Sequence, residues 1–475
     1  MNNDSSIAGL AQELRAEVAR LRPGDRLPSS RSLMSRYQVS PVTVSRAIRL
    51  LAAEGLVVAR PGSGTYVAER LRPAPAEPAD LDWQAVALGD RTVDAEGVVG
   101  LLTPAPESVI ALSGGYLAPA LQPVRALATA AARAARRPDA WERPPLPGLR
   151  DLREWFARTA GGDVTAADVT ITSGGQSSIS LILRALLPPG APLLVESPTY
   201  LGALASARSA GLRPVPVPVD DQGLRTDLLA DAFAATGARA LFCQPTFHNP
   251  TGTVLSDPRR EQVLNVARAA GAFVVEDDYS RHLAIDPPPP PLVASDRDGR
   301  VVHIASLTKA TAPSLRVAAV IARGPVAERI RSAQVVESFF VARPLQETAL
   351  ELVTSSAWPR HLRTVGEELR RRRDTLTTAL AAAGLSPAVR PRGGLHLWVG
   401  LPEGVDDVAL AEAALRGGVL VSPGRRYFPA EPPRPRVRLS YGTAAGETEL
   451  TEGAGRFART LAAAASQGLS RSPRP

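Results

Sequence analysis

An α/β domain with a mainly parallel sheet is predicted for most of this chain, preceded by a small, mainly α module and followed by a smaller α+β segment. Three observations predict this. Between residues 7 and 51 apolar residues recur at helical spacing. From about residue 165 short β-rich apolar runs alternate with helical stretches. Lys309, lying between two such runs, is the only lysine in 475 residues, and the other 54 basic residues are arginine.

Bulk properties bound the rest. The length predicts more than one domain, and 44% apolar residues suit a soluble globular chain. A single cysteine, Cys243, excludes an intramolecular disulfide and suits a reducing cytoplasm. No early basic-then-apolar segment and no membrane-length apolar run is present, so a cytoplasmic location without membrane contact is expected. Residues 1–70 hold ten Arg against six Asp or Glu, half of the net charge of +8. That balance permits nucleic acid without arguing for it. The five histidines show no metal-ligand spacing, and no metal site is expected.

Ile7, Leu10, Leu14, Val18 and Leu21 predict a first helix stopped by Pro23-Gly24. Ser29 or Ser30 can cap a short second helix running to about Tyr37. A third starts near Pro41 and turns Val44, Ala47, Ile48 and Leu51 inward, leaving Thr43, Ser45, Arg46 and Arg49 outward. Leu56–Arg60 and Thr65–Val67 then read as a hairpin across Pro61-Gly62-Ser63-Gly64. This is the winged helix-turn-helix order, in which the third helix enters the major groove of double-stranded DNA. The segments Pro-Gly-Asp-Arg-Leu-Pro-Ser-Ser-Arg, Val-Ser-Pro-Val-Thr-Val, Ala-Glu-Gly-Leu and Gly-Ser-Gly-Thr, in that order over residues 7–68, resemble the DNA-binding module of the GntR family. The resemblance implies that Arg31, Ser40, Thr43, Ser45 and the wing around Gly64 approach DNA. Pro41 and Ser45 stand where basic residues are frequent, and Arg46 and Arg49 can compensate. The module is assigned to 1–70, and the Pro-, Ala- and Asp-rich stretch 71–109 reads as a linker with one short helix from Trp83 to Leu88.

The apolar runs of the large domain are Val169–Thr172, Leu193–Glu196, Ala240–Gln244, Phe273–Glu276, Val301–Ala305 and Val317–Ala322. Ligands gather beyond the carboxyl ends of such strands. After the first run, Ser173-Gly174-Gly175-Gln176 opens a helix and offers free amides to a phosphate. After the second comes Tyr200, able to stack on a planar ring. Asn249 follows the third and can donate to a phenolate. Asp277-Asp278-Tyr279 follows the fourth: an acid that can keep a pyridine nitrogen protonated, with a phenol beside it. Paired acids there equally suit Mg²⁺. The fifth run delivers Ser306-Leu307-Thr308-Lys309, with Arg316 seven residues beyond the lysine. Lysine can lose its proton and attack a carbonyl, whereas arginine cannot.

An imine-forming amine, a phosphate cup, an acid for a ring nitrogen, a donor for a phenolate and a ring stack are what pyridoxal 5′-phosphate requires. Residues 110–465 resemble a fold-type I, class I aminotransferase domain, with a large part at about 110–330 and a small part at about 365–465; joined to the first module they resemble a MocR-type transcriptional regulator. The resemblance implies Lys309 as the Schiff-base lysine, Asp277 as the partner of N1, and Asn249 and Tyr279 beside O3′. It also implies Gly175, Gln176, Ser306 and Arg316 at the phosphate and Tyr200 as the stacking ring. Arg438, in Val437-Arg438-Leu439-Ser440-Tyr441, would grip an effector or substrate carboxylate. A homodimer is implied too, but Arg143, with Trp141 nearby, stands where the family commonly places a tyrosine lent to the partner's phosphate. The run Arg370–Arg373 reads as a solvated helix face.

The expected function is a regulator that senses pyridoxal phosphate, or an amine or amino acid, through an aldimine at Lys309. The alternatives are an active aminotransferase with an appended DNA-binding module and a vestigial site that only binds.

Overall fold

Two serines set where the second and third helices of the N-terminal unit begin. The structure, a computed structural model, describes residues 3–68, 80–89 and 96–466, and the chain divides into the units Met1–Arg91 and Thr92–Pro475. In the first, α1 (Asn3–Val18), α2 (Ser30–Tyr37) and α3 (Pro41–Ala53) enclose Leu10, Leu14, Leu33, Val44, Ala47 and Leu51. Ser29 Oγ accepts from the amide of Ser32, and Ser40 Oγ from that of Thr43, both at 3.2 Å. Each such cap stabilises its helix by about 1 kcal/mol. The predicted wing is formed by antiparallel β1 (Val57–Arg60) and β2 (Gly64–Val67). Leu27 N donates to Thr65 O, so the Arg26-Leu27 backbone lies along the wing. Gly64 has φ +121°, and a Cβ there would stand 2.8 Å from Arg26 Nε.

One expectation for this unit fails. Thr43 is buried rather than outward, and its hydroxyl is engaged with Ser40 Oγ at 2.8 Å. The third residue of a capped helix is drawn back over the cap, and helical periodicity alone does not register that pull. Arg31, Ser40, Ser45, Arg46 and Arg49 are exposed, and Gly64 is half-buried.

The stretch read as a linker falls partly outside the described residues, at 71–79 and 90–95. The expected helix is present as α4 (Trp83–Leu88), with Trp83 exposed. A second helix, α5 (Glu96–Leu102), was not expected, and it belongs to the second unit.

That unit is built on an eight-stranded sheet. After the short β3 (Ile110–Ala111) come β4 (Val169–Thr172), β5 (Pro192–Ser197), β6 (Arg213–Asp220), β7 (Gly223–Leu224), β8 (Ala240–Cys243), β9 (Phe273–Asp278), β10 (Val301–Ser306) and β11 (Ala318–Ile321). Their order is β4-β11-β10-β9-β8-β5-β6-β7, parallel from β10 to β6 and antiparallel at both ends. All six predicted runs are strands of this sheet. Successive residues bury on opposite faces: Leu194, Leu241, Val274 and Val301 enter one core, and Val195, Phe242, Val275 and Val302 the other. Two-sided burial explains why these strands read as continuous apolar runs.

Two strands of it were missed, the two-residue β7 and the long β6, whose residues 214, 216 and 218 are prolines. Proline has no N–H, which argues against a strand assignment. Here the three prolines share the side away from β5. Arg213 donates to Ala191 on the β5 side, while Pro218 O accepts from Arg225 on the other.

The small part carries the antiparallel sheet β12 (His396–Gly400), β15 (Arg436–Ser440) and β14 (Ser422–Pro423), while β13 (Val419–Leu420) pairs with β3. Only Arg370 and Arg371 of the run Arg370–Arg373 lie on a solvated face. Arg372 and Arg373 are buried and donate to the carbonyls of Ala444, Ala445 and Pro391, and Arg370 donates to Ile285 O.

Candidate functional site

The carboxyl ends of β4, β5, β8, β9 and β10 open onto one pocket. All ten residues expected at the cofactor and carboxylate line it: Gly175, Gln176, Tyr200, Asn249, Asp277, Tyr279, Ser306, Lys309, Arg316 and Arg438.

Lys309 is half-buried just past β10. Its Nζ donates to Gly115 O at 2.7 Å and lies 3.8 Å from the centre of the Tyr116 ring. Loss of hydration, then repulsion by Arg438 and Arg316, outweighs attraction by Asp277 and pushes the amine down to about 7. A large share is therefore neutral near neutral pH, which nucleophilic attack requires.

Asp277, at the end of β9, is 2% exposed, and burial pushes its carboxyl up to about 7 despite a 2.7 Å hydrogen bond from Gln244 Nε2 to Oδ2. Among the described residues its Oδ1 has no partner. A buried acceptor left open costs about 1–3 kcal/mol, so the site is short of one donor. Asp278 points across the sheet and pairs with Arg281. Strand alternation thus gives the pocket the first acid of the pair and the fold the second.

The phosphate cup lies at the N-terminus of a long helix. After α6 (Val124–Ala135) and α7 (Arg150–Ala160), α8 (Gly175–Leu186) begins directly beyond Gly174, which has φ +102°. A Cβ on Gly174 would come within 2.6 Å of Arg316 Nη2, so the guanidinium lies across the helix start. Arg316 is itself left-handed at φ +50° and makes no hydrogen bond or ion pair among the described residues. Ser306 faces Gly175. The Gln176 side chain does not enter the cup. It donates to Gly202 O and Ser206 Oγ and accepts from the Tyr200 hydroxyl, leaving only its backbone amide for an anion.

Arg438 is 1% exposed and has no carboxylate partner among the described residues. Its Nη1 donates to Asn249 Oδ1 at 3.0 Å and to His396 Nε2 at 3.3 Å, its Nη2 donates to Ser113 O, and its Nε is unpartnered. Because arginine only donates, His396 accepts through Nε2 and carries its proton on Nδ1. Burial and then Arg438 hold that imidazole neutral. Asn249 keeps its amide N–H groups for the pocket. The Tyr279 hydroxyl donates to Phe247 O at 3.1 Å.

Reasoning from sequence missed several contributors. Gln244 orients both Asp277 and the backbone of Asn249, and its place at the end of β8 was the available signal. Gly115, Tyr116, His396 and the residues Val98, Leu101 and Leu102 of α5 also line the pocket. Nothing in their local sequence marks them. No group of residues suited to a metal ion occurs among the described residues, and no helix there is long and apolar enough to cross a membrane.

Pyridoxal phosphate fits this donor set. The open Oδ1 of Asp277 awaits a protonated ring nitrogen, the free guanidinium of Arg316 at a helix start awaits a phosphate, and Lys309 supplies the amine.

Comparison with known proteins agrees. Residues 108–457 match the family model for aminotransferase class I and II, and residues 7–67 that for bacterial regulatory proteins of the gntR family. The chain is 31% identical to the uncharacterized HTH-type transcriptional regulator YjiR of Escherichia coli, over 94% of this chain and 96% of that protein. It is also 31% identical to the HTH-type transcriptional regulator TauR of Rhodobacter capsulatus, over 93% of each. Among solved structures, LysN, an α-aminoadipate aminotransferase of Thermus thermophilus complexed with N-(5′-phosphopyridoxyl)-L-leucine, superposes with a TM-score of 0.73. The identity is 28%, over 79% of this chain and 96% of that one.

Proposed function

This chain belongs to the aminotransferase class I and II family with a GntR module ahead of that domain, the MocR type of regulator, and from that premise we propose that it senses an amine through pyridoxal 5′-phosphate. It is a DNA-binding regulator with an aminotransferase-like domain. The observation that carries the sensing reading is the pairing of the sole lysine, poised near neutral, with an open carboxylate oxygen on the neighbouring strand.

When bound, the cofactor supplies an aldehyde that condenses reversibly with amines. The chain's residues do the rest. Asp277, fixed by Gln244, holds a proton at the ring nitrogen. The amides opening α8, with Ser306 and Arg316, hold the phosphate, while Asn249 and Tyr279 face the phenolate and Tyr200 the ring. Lys309, readily deprotonated, would supply the amine that reacts with the aldehyde. Arg438 holds a carboxylate. Binding energy at these groups biases the chain between two arrangements with different affinity for DNA. Arg31, Ser45, Arg46 and Arg49 supply the DNA-facing cations and hydroxyl.

We place the protein in the cytoplasm as a homodimer. The exposed Trp141, beside exposed Arg143, supports a partner subunit there.

The test is a gel shift of the chain's own promoter region with and without cofactor and amino acids. Promoter-specific, salt-sensitive binding that Lys309→Ala uncouples from the cofactor is expected. Binding indifferent to both overturns the reading. The completeness of the site favours turnover as a second reading, and release of keto acid at enzymatic rates would establish it.

A further inference from the structure

Both groups that touch the Lys309 amine come from one dipeptide. Its hydrogen-bond acceptor is Gly115 O, at 2.7 Å, and the ring 3.8 Å from it is that of Tyr116. The ring face attracts the protonated amine, and the Tyr116 hydroxyl makes no hydrogen bond among the described residues. The segment that carries the dipeptide is fastened elsewhere. Leu112 donates to Leu420 O and accepts from Ser440 N, Ser113 O accepts from Arg438, Tyr116 O accepts from Thr443 Oγ1, and Ala118 N donates to Gly442 O. All five partners belong to the small part. Among the described residues, the hydrogen bond from Lys309 is the only one that ties residues 112–118 to the strand ends of the eight-stranded sheet.

Both contacts need hydrogens or charge that the nitrogen has only while it is free. Condensation with an aldehyde forms a carbon–nitrogen double bond and releases water, made from the aldehyde oxygen and two hydrogens of the neutral amine. The one proton that the nitrogen can then still carry is drawn to the phenolate beside the aldehyde carbon. Gly115 O loses its donor, and the Tyr116 ring its ammonium. A contact made only in the unloaded chain opposes loading, by linkage.

We propose that Gly115 and Tyr116 form a latch that the free Lys309 amine keeps shut and that loading with pyridoxal 5′-phosphate opens. Tyr116 is then a positioning residue that sets the affinity for cofactor by holding the empty site. This rests on the reading that the cofactor engages Lys309, and it says how occupancy reaches the backbone. The segment set loose follows α5, and α5 is the first described element of the second unit, past the chain that leads from the N-terminal one.

The test titrates the full chain with pyridoxal 5′-phosphate, follows the absorbance of the bound cofactor, and compares Tyr116→Leu and Tyr116→Phe with the parent. Tyr116→Leu removes the ring face and should bind cofactor about fivefold more tightly, although it also removes part of the pocket wall. Tyr116→Phe keeps the ring face and should match the parent. Amide hydrogen exchange of residues 112–118 should speed up by about fivefold on loading, and unloaded Lys309→Ala should already show the faster exchange. Weaker or unchanged cofactor binding by Tyr116→Leu, or Tyr116→Phe binding as tightly as Tyr116→Leu, overturns the latch and leaves the cofactor reading intact. So does exchange of residues 112–118 that is no faster in the loaded chain, or that in unloaded Lys309→Ala is as slow as in the unloaded parent. If borohydride fixes no adduct on Lys309 of the parent, the cofactor reading falls, and the latch with it.

Discussion

The two units handle charge in opposite ways. In the N-terminal unit the cations we propose at DNA, Arg31, Arg46 and Arg49, are exposed to solvent. In the second unit Asp277 and Arg438 are buried to within a few percent, each with one atom left open, and no other group substitutes for either. A solvated cation contributes through summed field, whereas a buried one contributes through the single group it is aimed at. Substitutions should therefore give graded losses in the first unit and all-or-none losses in the second.

The largest effect is expected at the sole lysine. Lys309→Ala and Lys309→Arg should both abolish the borohydride-fixable adduct with pyridoxal phosphate, read by mass of the intact chain. An adduct persisting in the arginine variant would show that a buried amine is not essential. Next, Asp277→Asn should weaken cofactor binding by about 100-fold, the scale of a charge-assisted hydrogen bond worth ~2–3 kcal/mol. Asp278→Asn, which touches only Arg281, should instead cost about 2–3 kcal/mol of stability in urea and leave cofactor affinity as it is. Equal effects of the two on cofactor would erase the division made by strand alternation.

How far this site could be read from sequence follows from the same contrast. The acids, the lysine and the glycine turn were legible because chemistry-bearing residues at strand ends are few and each strand announces its end. Gln244 and His396 were not, since their work is to fix Asp277 and Arg438 by contacts between strands distant in sequence. The α5 wall was hidden by composition, because Pro, Ala and Asp around it read as linker. Thr43 was misplaced because periodicity places Cβ atoms and ignores the pull of a cap, and β6 was lost to its prolines. The arginine run on the helix Ala357–Ala381 was read by charge alone, without the carbonyls that bury it.

A smaller effect concerns pH. With the Lys309 amine pushed down to about 7, it is protonated below that value and neutral above it. The rate of colour formation with pyridoxal phosphate should then rise by about tenfold from pH ~6 to pH ~8 and level off, instead of climbing toward the ordinary lysine range near ~10.4. A rate still climbing tenfold per pH unit above pH ~9 would show the amine unperturbed.

Smallest are the changes in the first unit. Arg46→Ala or Arg49→Ala should weaken DNA binding about three- to tenfold at moderate salt, with a shallower salt slope. Thr43→Ala should cost about 0.5–1 kcal/mol of stability by loosening the α3 cap and leave the preferred DNA sequence unaltered. A changed sequence preference would place that hydroxyl at a base edge after all.

The prolines of β6 have an outcome for the rim of the sheet. A sheet rim is ordinarily a template on which an unfolded neighbour can add a strand, because it offers alternating donors and acceptors. At Pro214 and Pro216 this rim offers carbonyls and no N–H, so an arriving strand finds half its partners missing, and at Pro218 the carbonyl is already taken by Arg225. Ahead of the short stretch that β7 covers, this flank of the sheet is thereby a poor template for intermolecular strand addition.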